Sequence, residues 1–417
     1  MRRSIDSATS PKFGYRTLTV LILCAIWFVA STNVAQAGIN VWTNIGPEGS
    51  ATFVYALAID PATPGTLYAA TEYCPVSNCS YVMFKTTDDG GTWVNTGPPM
   101  RNVLVLALDP ATPTTLYAAG NDVYKSTDGG NSWRTASIGL NGAPVVLIAI
   151  DPITPSTLYV GTESANGGLF KSTDGAGTWN AVRIGLIDSI VTKLALDPAT
   201  PGTLYAGAGR SYDNVFKSTD SGATWGGPSL DDVVFALAID PATPSTLYAG
   251  SGSCVFGFCR RDSAFKTTDG ASTWAAIAGL SNTRVNALAI DPRTPTTLYA
   301  GTDAGVLKST DGASSWATMN AGLYPPVFAL VIDPAMPGTL YAASASSTGG
   351  LFEIEQVCAG DCHGNGQVTV DELVTLVGIA LGNSFLSACT IGDVNHDGQI
   401  TVDEIIMAVN LALDGCT

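Results

Sequence analysis

Two stretches near the C-terminus space oxygen-bearing side chains as a single metal-binding loop would. Asp361-Cys-His363-Gly-Asn365-Gly-Gln367-Val-Thr369-Val-Asp-Glu372 aligns with Asp393-Val-Asn395-His-Asp397-Gly-Gln399-Ile-Thr401-Val-Asp-Glu404, 32 residues later. Calcium takes six to eight hard oxygen donors. Positions 1, 3, 5 and 9 of each loop supply side chains, the backbone carbonyl at 7 (Gln367, Gln399) another donor, and the Glu at 12 two more, while Gly at 6 permits the bend. The second loop meets every requirement. The first carries His363 at position 3, where an imidazole nitrogen is a poor calcium ligand, so its site is expected to be the weaker. Residues 358–417 hold eight carboxylates and neither Lys nor Arg, a charge that two calcium ions would compensate.

Each loop runs into an apolar-periodic segment, with Leu373, Val377 and Leu381 matched by Ile405, Val409 and Leu413 at i, i+4, i+8. This predicts two helices packed through those stripes. Only Gln356–Gly360 precedes the first loop, too few residues for an entering helix, so each unit is an EF-hand-type loop plus its exiting helix. The duplicated loop-and-helix, beginning at Gly360-Asp361 and Gly392-Asp393, resembles a type I dockerin. That resemblance implies a cohesin-like partner, selected through loop positions 10 and 11, here Val370-Asp371 and Val402-Asp403. Their identity in both copies would permit two symmetry-related docking modes.

The rest of the chain is a repeat. A run such as Ala56-Leu-Ala-Ile-Asp60-Pro-Ala-Thr-Pro-Gly-Thr-Leu67-Tyr68-Ala recurs with Asp-Pro steps at Asp109, Asp151, Asp197, Asp240, Asp291 and Asp333, a period of about 45 residues. In the sixth copy four short strands are legible: Val285–Ile290, Leu298–Gly301, Gly305–Lys308 and one opening at Trp316. Four strands per unit make a propeller blade, with Asp-Pro fixing a type I turn after the first. The first strands, apolar without clean alternation, are expected to be buried on both faces.

Six copies continue as Thr86-x-Asp88-x-Gly90-x-Thr92-Trp93, repeated at Asp128/Trp133, Asp174/Trp179, Asp220/Trp225, Asp269/Trp274 and Asp311/Trp316. These resemble the Asp-box, or BNR, repeats of sialidases, sortilin-like receptors and xyloglucanases, where they are structural turns remote from the active site. Ala176, Ala271 and Ala313 replace the box glycine, with Gly175, Gly270 and Gly312 one place earlier, which predicts a slightly different turn there. The seventh copy has no box. Val41–Gly46 mimics the segment that follows one, so the N-terminal strand is expected to complete the last blade and close the ring. The expected architecture is therefore an all-β seven-bladed propeller over 38–356, followed by a small α-helical domain of EF-hand-like, dockerin type over 357–417.

Residues 1–37 have Arg2, Arg3, Lys12 and Arg16 ahead of an apolar stretch, Leu18–Ala30, and end Ala35-Gln36-Ala37. That is the pattern of a secretory signal peptide. It points to a secreted or cell-surface protein without a stable membrane span after cleavage. Without the leader the net charge falls from -16 to about -19, which argues against nucleic acid as a partner. Eight cysteines remain, suiting disulfides. Cys74 and Cys79, and likewise Cys254 and Cys259, are expected to staple their own loops. Cys358, Cys362, Cys389 and Cys416 allow three pairings.

Strand order puts the Asp-Pro turns and boxes on one face of the ring and the more variable connections on the other. The variable face carries Tyr73, Tyr81, Arg101, Asp188, Arg210, Tyr212, Asp213, Asp231, Asp232, Arg260, Arg261, Arg284 and Tyr324 as candidate ligand contacts. Three functions follow. A binding module would hold a glycan or protein there, tethered by the dockerin-like tail and serving polysaccharide use. The text of the repeats also resembles xyloglucanase propellers, which implies a glycoside hydrolase with a carboxylate pair drawn from Glu163, Asp188, Asp213, Asp231 and Asp232. Those xyloglucanases hold substrate between two propellers, and this chain has one. An extracytoplasmic assembly factor is the third reading. The binding module is preferred and no catalytic residue is assigned.

Overall fold

The computed structural model describes residues 41–47, 53–73, 80–96, 103–140, 142–163, 168–182, 185–186, 190–208, 214–226, 230, 233–255, 258–336, 338–344, 350–356, 360–362, 368–389, 392–393 and 398–414. The leader lies outside them. Seven antiparallel sheets follow one another along the chain. Blade 1 runs Phe53–Ile59, Leu67–Tyr73, Ser80–Thr86 and Val94–Asn95, with the other blades on the same plan. First strands touch first strands from each blade to the next, and that of blade 7 (Val327–Ile332) touches that of blade 1, so the ring is closed.

Thr43–Asn44 is the fourth strand of blade 7, pairing with Gly350–Glu355 through Thr43 opposite Glu353 and Asn44 opposite Phe352. The sequence expectation for Val41–Gly46 holds. Pairing this N-terminal strand with the last third strand removes the free edges of an open sheet. Trp42 is buried and its indole N–H donates to the Met319 carbonyl of blade 6 at 2.6 Å. Trp93, Trp179 and Trp225 likewise reach back to Ile45, Ala136 and Val182 beside the preceding blade's fourth strand. Blade 4 departs from the four-strand plan: its fourth strand shrinks to one bridge, Lys217 to Gly226. Gly226-Gly227-Pro228 supplies neither side chains to pack nor a full set of donors.

The most buried strands are the second, not the first. Leu158–Thr162, Leu204–Ala208 and Leu298–Thr302 are buried at every residue, whereas Val105–Leu108 is half-buried throughout. First strands lack a neighbour on the axial side, where Ile59, Leu108, Ile150 and Ile332 line an apolar opening at their Asp-Pro ends. Six of the seven carry a β-bulge near their start, in blade 1 between Val54 and Ala56. Bulges add twist and re-aim a side chain.

The C-terminal segment adds two helices, α1 (Val370–Ala380) and α2 (Val402–Asp414). They touch one another, and of the expected stripes only the first members, Leu373 and Ile405, pack on the shared core. Val377, Leu381 and Val409 are exposed, whereas Leu376 and Ala408 are fully buried with Val368, Cys389 and Ile400 around them. The buried face lies one residue before Val377 and Val409, set by a disulfide and two loop residues that a helical period does not include. The side chain of Leu413 lies outside the described residues.

Candidate functional site

On the regular face, side chains and turns close on one another. In all seven blades the Asp-Pro aspartate accepts two backbone N–H bonds, Asp60 from Ala62 and Thr63 at 2.9 and 3.2 Å. In the turn after the third strand of blade 2, Asp128 accepts from the Ser126 hydroxyl and the Ser132 N–H and hydroxyl, at 2.8, 2.9 and 2.6 Å. These bonds, the Ser132 hydroxyl first, hold its carboxyl well below the usual range, at about 2. A carboxylate so occupied is a turn element, not a poised base.

All six turns contain two consecutive left-handed residues, among them Gly129-Gly130, Gly175-Ala176, Gly270-Ala271 and Gly312-Ala313. The alanine copies therefore keep the glycine geometry, contrary to the sequence expectation. An alanine there costs strain. The buried N–H of Ala176 still donates to Ser172 Oγ at 2.9 Å, which helps hold the conformation.

The same face is stitched between blades. The third-strand lysine of blades 1 to 5 donates to a turn carbonyl of the next blade, from Lys85 to Gly129 through Lys266 to Gly312, at 2.8–3.3 Å. Each Nζ sits 5.2–5.5 Å over the ring of a second-strand tyrosine. At the 6–7 seam Lys308 lies over Tyr299, whose hydroxyl pairs with Gln356. The closure seam differs in kind. Glu353 stands in the lysine position and Asp89 in the place of Gly129. Both flank the Tyr341 hydroxyl, which donates to Asp89 at 3.4 Å. Burial first, then the charge of Asp89, pushes the Glu353 carboxyl up to about 7.

Among the described residues of the propeller, the well-exposed aromatic rings lie on the variable face, whereas the box tryptophans of the regular face are buried or half-buried. Tyr55 is 39 % exposed, Phe328 45 % and Tyr324 56 %. Tyr55 and Phe328 occupy the bulge of neighbouring blades 1 and 7, a position that sequence reasoning passed over. Tyr55 packs 5.9 Å from Tyr81 and donates to Glu72 at 2.6 Å, and burial with this bond pushes its hydroxyl up. Tyr324 lies 6.1 Å from Phe352. The Arg284 guanidinium sits 4.1 Å over the ring of Phe235, the bulge residue of blade 5.

Of the other candidates, Tyr73, Arg260 and Arg261 fall on strands, with side chains outside the described residues. Arg101, Asp188, Arg210, Tyr212, Asp213, Asp231 and Asp232 lie wholly outside them. Glu163 is exposed, and the other four carboxylates weighed for hydrolysis lie outside the described residues. Strand pairing sets Cys254 opposite Cys259, the placement a hairpin staple needs. Cys74, Cys79, Cys358 and Cys416 lie outside the described residues, and Cys362 bonds Cys389.

In the C-terminal loops His363, Asn365, Gln367, Asn395 and Asp397 are outside the described residues. What is described fits a hard cation. Asp361, Glu372, Asp393 and Glu404, positions 1 and 12 of both loops, are all buried in a segment without Lys or Arg. Burying carboxylates in such company is costly without a counter-charge. Glu372 and Glu404 each accept from the backbone N–H and hydroxyl of position 9, Thr369 and Thr401, through Oε2. Gly398 has φ +85°, and its N–H donates to Asp393 Oδ2 at 2.8 Å, tying position 6 of the second loop to position 1. Among the described residues no cluster of three His, Cys, Asp or Glu gathers around one point. Val370 and Val402 are well exposed, and Asp371 and Asp403 are exposed beside them.

No protein-family model matches the chain, and no curated protein does. Solved structures do. The xyloglucanase of family GH74 from Xanthomonas campestris aligns with TM-score 0.56 at 20 % identity, over 75 % of this chain and 53 % of its own. An ancestral GH74 enzyme gives TM-score 0.59 at 18 %, over 76 % and 47 %. YCF48 bound to D1 peptide gives 0.56 at 15 %, over 76 % of this chain and 97 % of its own. The chain thus spans about half the length of the GH74 enzymes. At these identities the likeness establishes one thing, the fold. It is a seven-bladed β-propeller.

Proposed function

We propose that the protein is a secreted binding module whose propeller holds a glycan on its variable face and whose C-terminal segment is a calcium-loaded, dockerin-like tether. The observation that carries this reading is the contrast between faces. The regular face spends its polar side chains on its own turns and seams, whereas the variable face leaves aromatic rings uncovered. Aromatic faces suit the apolar faces of sugar rings. The regular turns then act as Asp-box elements of the scaffold. Carbohydrate is favoured over peptide because GH74 enzymes share the fold, although YCF48 bound to D1 peptide shares it too.

Calcium would be held by Asp361, Asn365, Thr369 and Glu372 with the Gln367 carbonyl and the help of His363 or water, and by Asp393, Asn395, Asp397, Thr401 and Glu404 with the Gln399 carbonyl. Bound there, it neutralises the buried carboxylates and fixes the loops. Val370-Asp371 and Val402-Asp403, exposed at the starts of α1 and α2, would meet a cohesin-like partner. Calorimetry tests the metal: Glu404→Ala should abolish the tighter calcium site and Glu372→Ala weaken the other, and equal losses would overturn that ranking. The glycan reading is tested by retention on immobilised plant and bacterial polysaccharides with calcium present. Retention lost in Tyr55→Ala and Phe328→Ala supports it, and indifference to both substitutions contradicts it.

A further inference from the structure

The tryptophan that closes the ring is a box tryptophan without its box. Trp42 donates to the Met319 carbonyl just past the fourth strand of blade 6, as Trp93 and Trp179 donate past the fourth strands of their preceding blades. Thr43–Asn44 follows it directly, as Val94–Asn95 follows Trp93 and Asn180–Ala181 follows Trp179. Counting back from Trp42 therefore sets the residues before it in register with the six turns. Four places before the tryptophans of blades 2 to 6 stand Gly129, Gly175, Ser221, Gly270 and Gly312, whose carbonyls accept from the preceding blade's lysine. The hydroxyls of Tyr68, Tyr117 and Tyr159 donate to the first three of those carbonyls as well. Four places before Trp42 is Gly38, the first residue after the expected leader cleavage behind Ala35-Gln36-Ala37.

The next place changes in step with its partner. Three places before each box tryptophan is Gly or Ala, whose N–H donates to a third-strand hydroxyl, Gly130 to Ser126 and Ala313 to Ser309 at 2.9 Å each. In blade 7 the first is Ile39 and the second Ile354, so a polar pair has become an apolar one. Gly130 and Ala313 are left-handed, at φ +88° and +74°, a conformation that strains a β-branched residue. A chain that starts at Gly38 escapes it, because it has no third strand to turn from. The room for such a segment is present. A cavity of about 390 Å³ lies between residues of blades 6 and 7, lined by Lys308, Trp316, Met319, Asn320, Ile354 and Gln356 among others. It brings together the seam lysine of blade 6, the residue that anchors Trp42 and the isoleucine that replaces the box hydroxyl. Gly38, Ile39 and Asn40 themselves lie outside the described residues.

We propose that this cavity seats the protein's own mature N-terminus. Gly38 presents its carbonyl to Lys308, as Gly129 does to Lys85, and Ile39 packs on Ile354. Three residues reach at most about 10 Å, and Trp42 is tied to Met319, which itself lines the cavity. The inference rests on the secretory-leader reading and goes beyond it. Leader removal sets the start of the chain at the acceptor glycine, so the one blade without a box completes its seam with the chain's new end.

Thermal melts of three chains test this: one starting at Gly38, one starting at Val41, and the Gly38 chain carrying Ile39→Asp. The Gly38 chain should melt highest, and each of the others about 2 °C or more lower. The tripeptide amide Gly-Ile-Asn, at millimolar concentration, should raise the melting temperature of the Val41 chain and not that of the Gly38 chain, whereas Gly-Asp-Asn amide should raise neither. The Val41 chain should fold, since it keeps Trp42 and every described strand, and Ile39→Asp makes the same test at full mature length. Intact mass of the secreted protein gives its first residue. A first residue other than Gly38 overturns the leader boundary and this register with it. With Gly38 first, equal melting of the three chains, or a Gly-Ile-Asn amide that raises both starting points alike or neither, overturns the docking and leaves the leader reading standing.

Discussion

Six seams join neighbouring blades in sequence order and one joins the last blade to the first, and they are built from opposite charges. At the first five a lysine, spread over a tyrosine ring, donates to the next blade's turn carbonyl. At the closure Glu353 and Asp89 bring two acids to one tyrosine hydroxyl, with Asp333 and Glu355 adding to the negative field. The difference shows that repeat geometry does not require the repeat's own chemistry where the chain's two ends meet. The closing strand brings compensation from elsewhere: the ladder to Gly350–Glu355 and a buried tryptophan.

The largest effect should come from that strand. Trp42→Ala removes a buried indole and its bond to Met319, and should cost about 3–5 kcal/mol in a urea melt. A loss no greater than that of an exposed side chain would mean the ring does not depend on its closure.

The next effect is pH. Glu353 ordinarily titrates near 4.5 and in the fold at about 7. Between those values the folded state keeps a proton that the unfolded chain releases, so the stability this proton provides is full below about pH 4.5 and lost as pH rises through about 7. The expected decline is about 1–2 kcal/mol after allowance for solvent screening. Glu353→Gln should flatten it. The box aspartates have the opposite sign. Asp128, Asp174, Asp220 and Asp311, held at about 2 by hydroxyl and backbone bonds, support the fold above the ordinary carboxylate range and fail only as pH drops through about 2.

A double substitution sharpens the comparison. Glu353→Lys with Asp89→Gly rewrites the closure as a lysine seam, and should remove the Glu353 contribution to the pH slope while raising neutral stability by about 1 kcal/mol. The smallest effect belongs to a single regular seam. Lys125→Met keeps the stem but loses the bond to Gly175 and the cation over Tyr117, about 1 kcal/mol or less, without altering the pH profile.

The ring was legible because its cause is local and repeated. Asp-Pro turns, Leu-Tyr second strands and the displaced Val41–Gly46 strand each carry a residue signature, and seven copies average out the noise. The closure seam was also legible, since a lysine column from Lys85 to Lys308 breaks at Glu353, but only an alignment of third strands exposes it. Tyr55, Phe235 and Phe328 were missed because a bulge decides where their side chains point, and single-strand periodicity has no term for it. Strand burial was misjudged for a related reason, since apolar composition does not reveal that first strands face an axial opening. In the C-terminal segment the ligand-type residues were readable, whereas the Cys362–Cys389 pairing and the burial of Leu376 and Ala408 depend on how two half-units pack.

The central claim, that the variable face binds a glycan while the regular face holds the ring, is met most directly by one experiment on residues 38–417. Polysaccharides are incubated with the protein and calcium, and retention and newly released reducing ends are measured together. The account predicts retention without new ends, lost on Tyr55→Ala with Phe328→Ala and unaffected by Lys125→Met. New reducing ends would instead make the protein a glycoside hydrolase, and retention that survives loss of both aromatic residues would move the ligand off the face assigned to it.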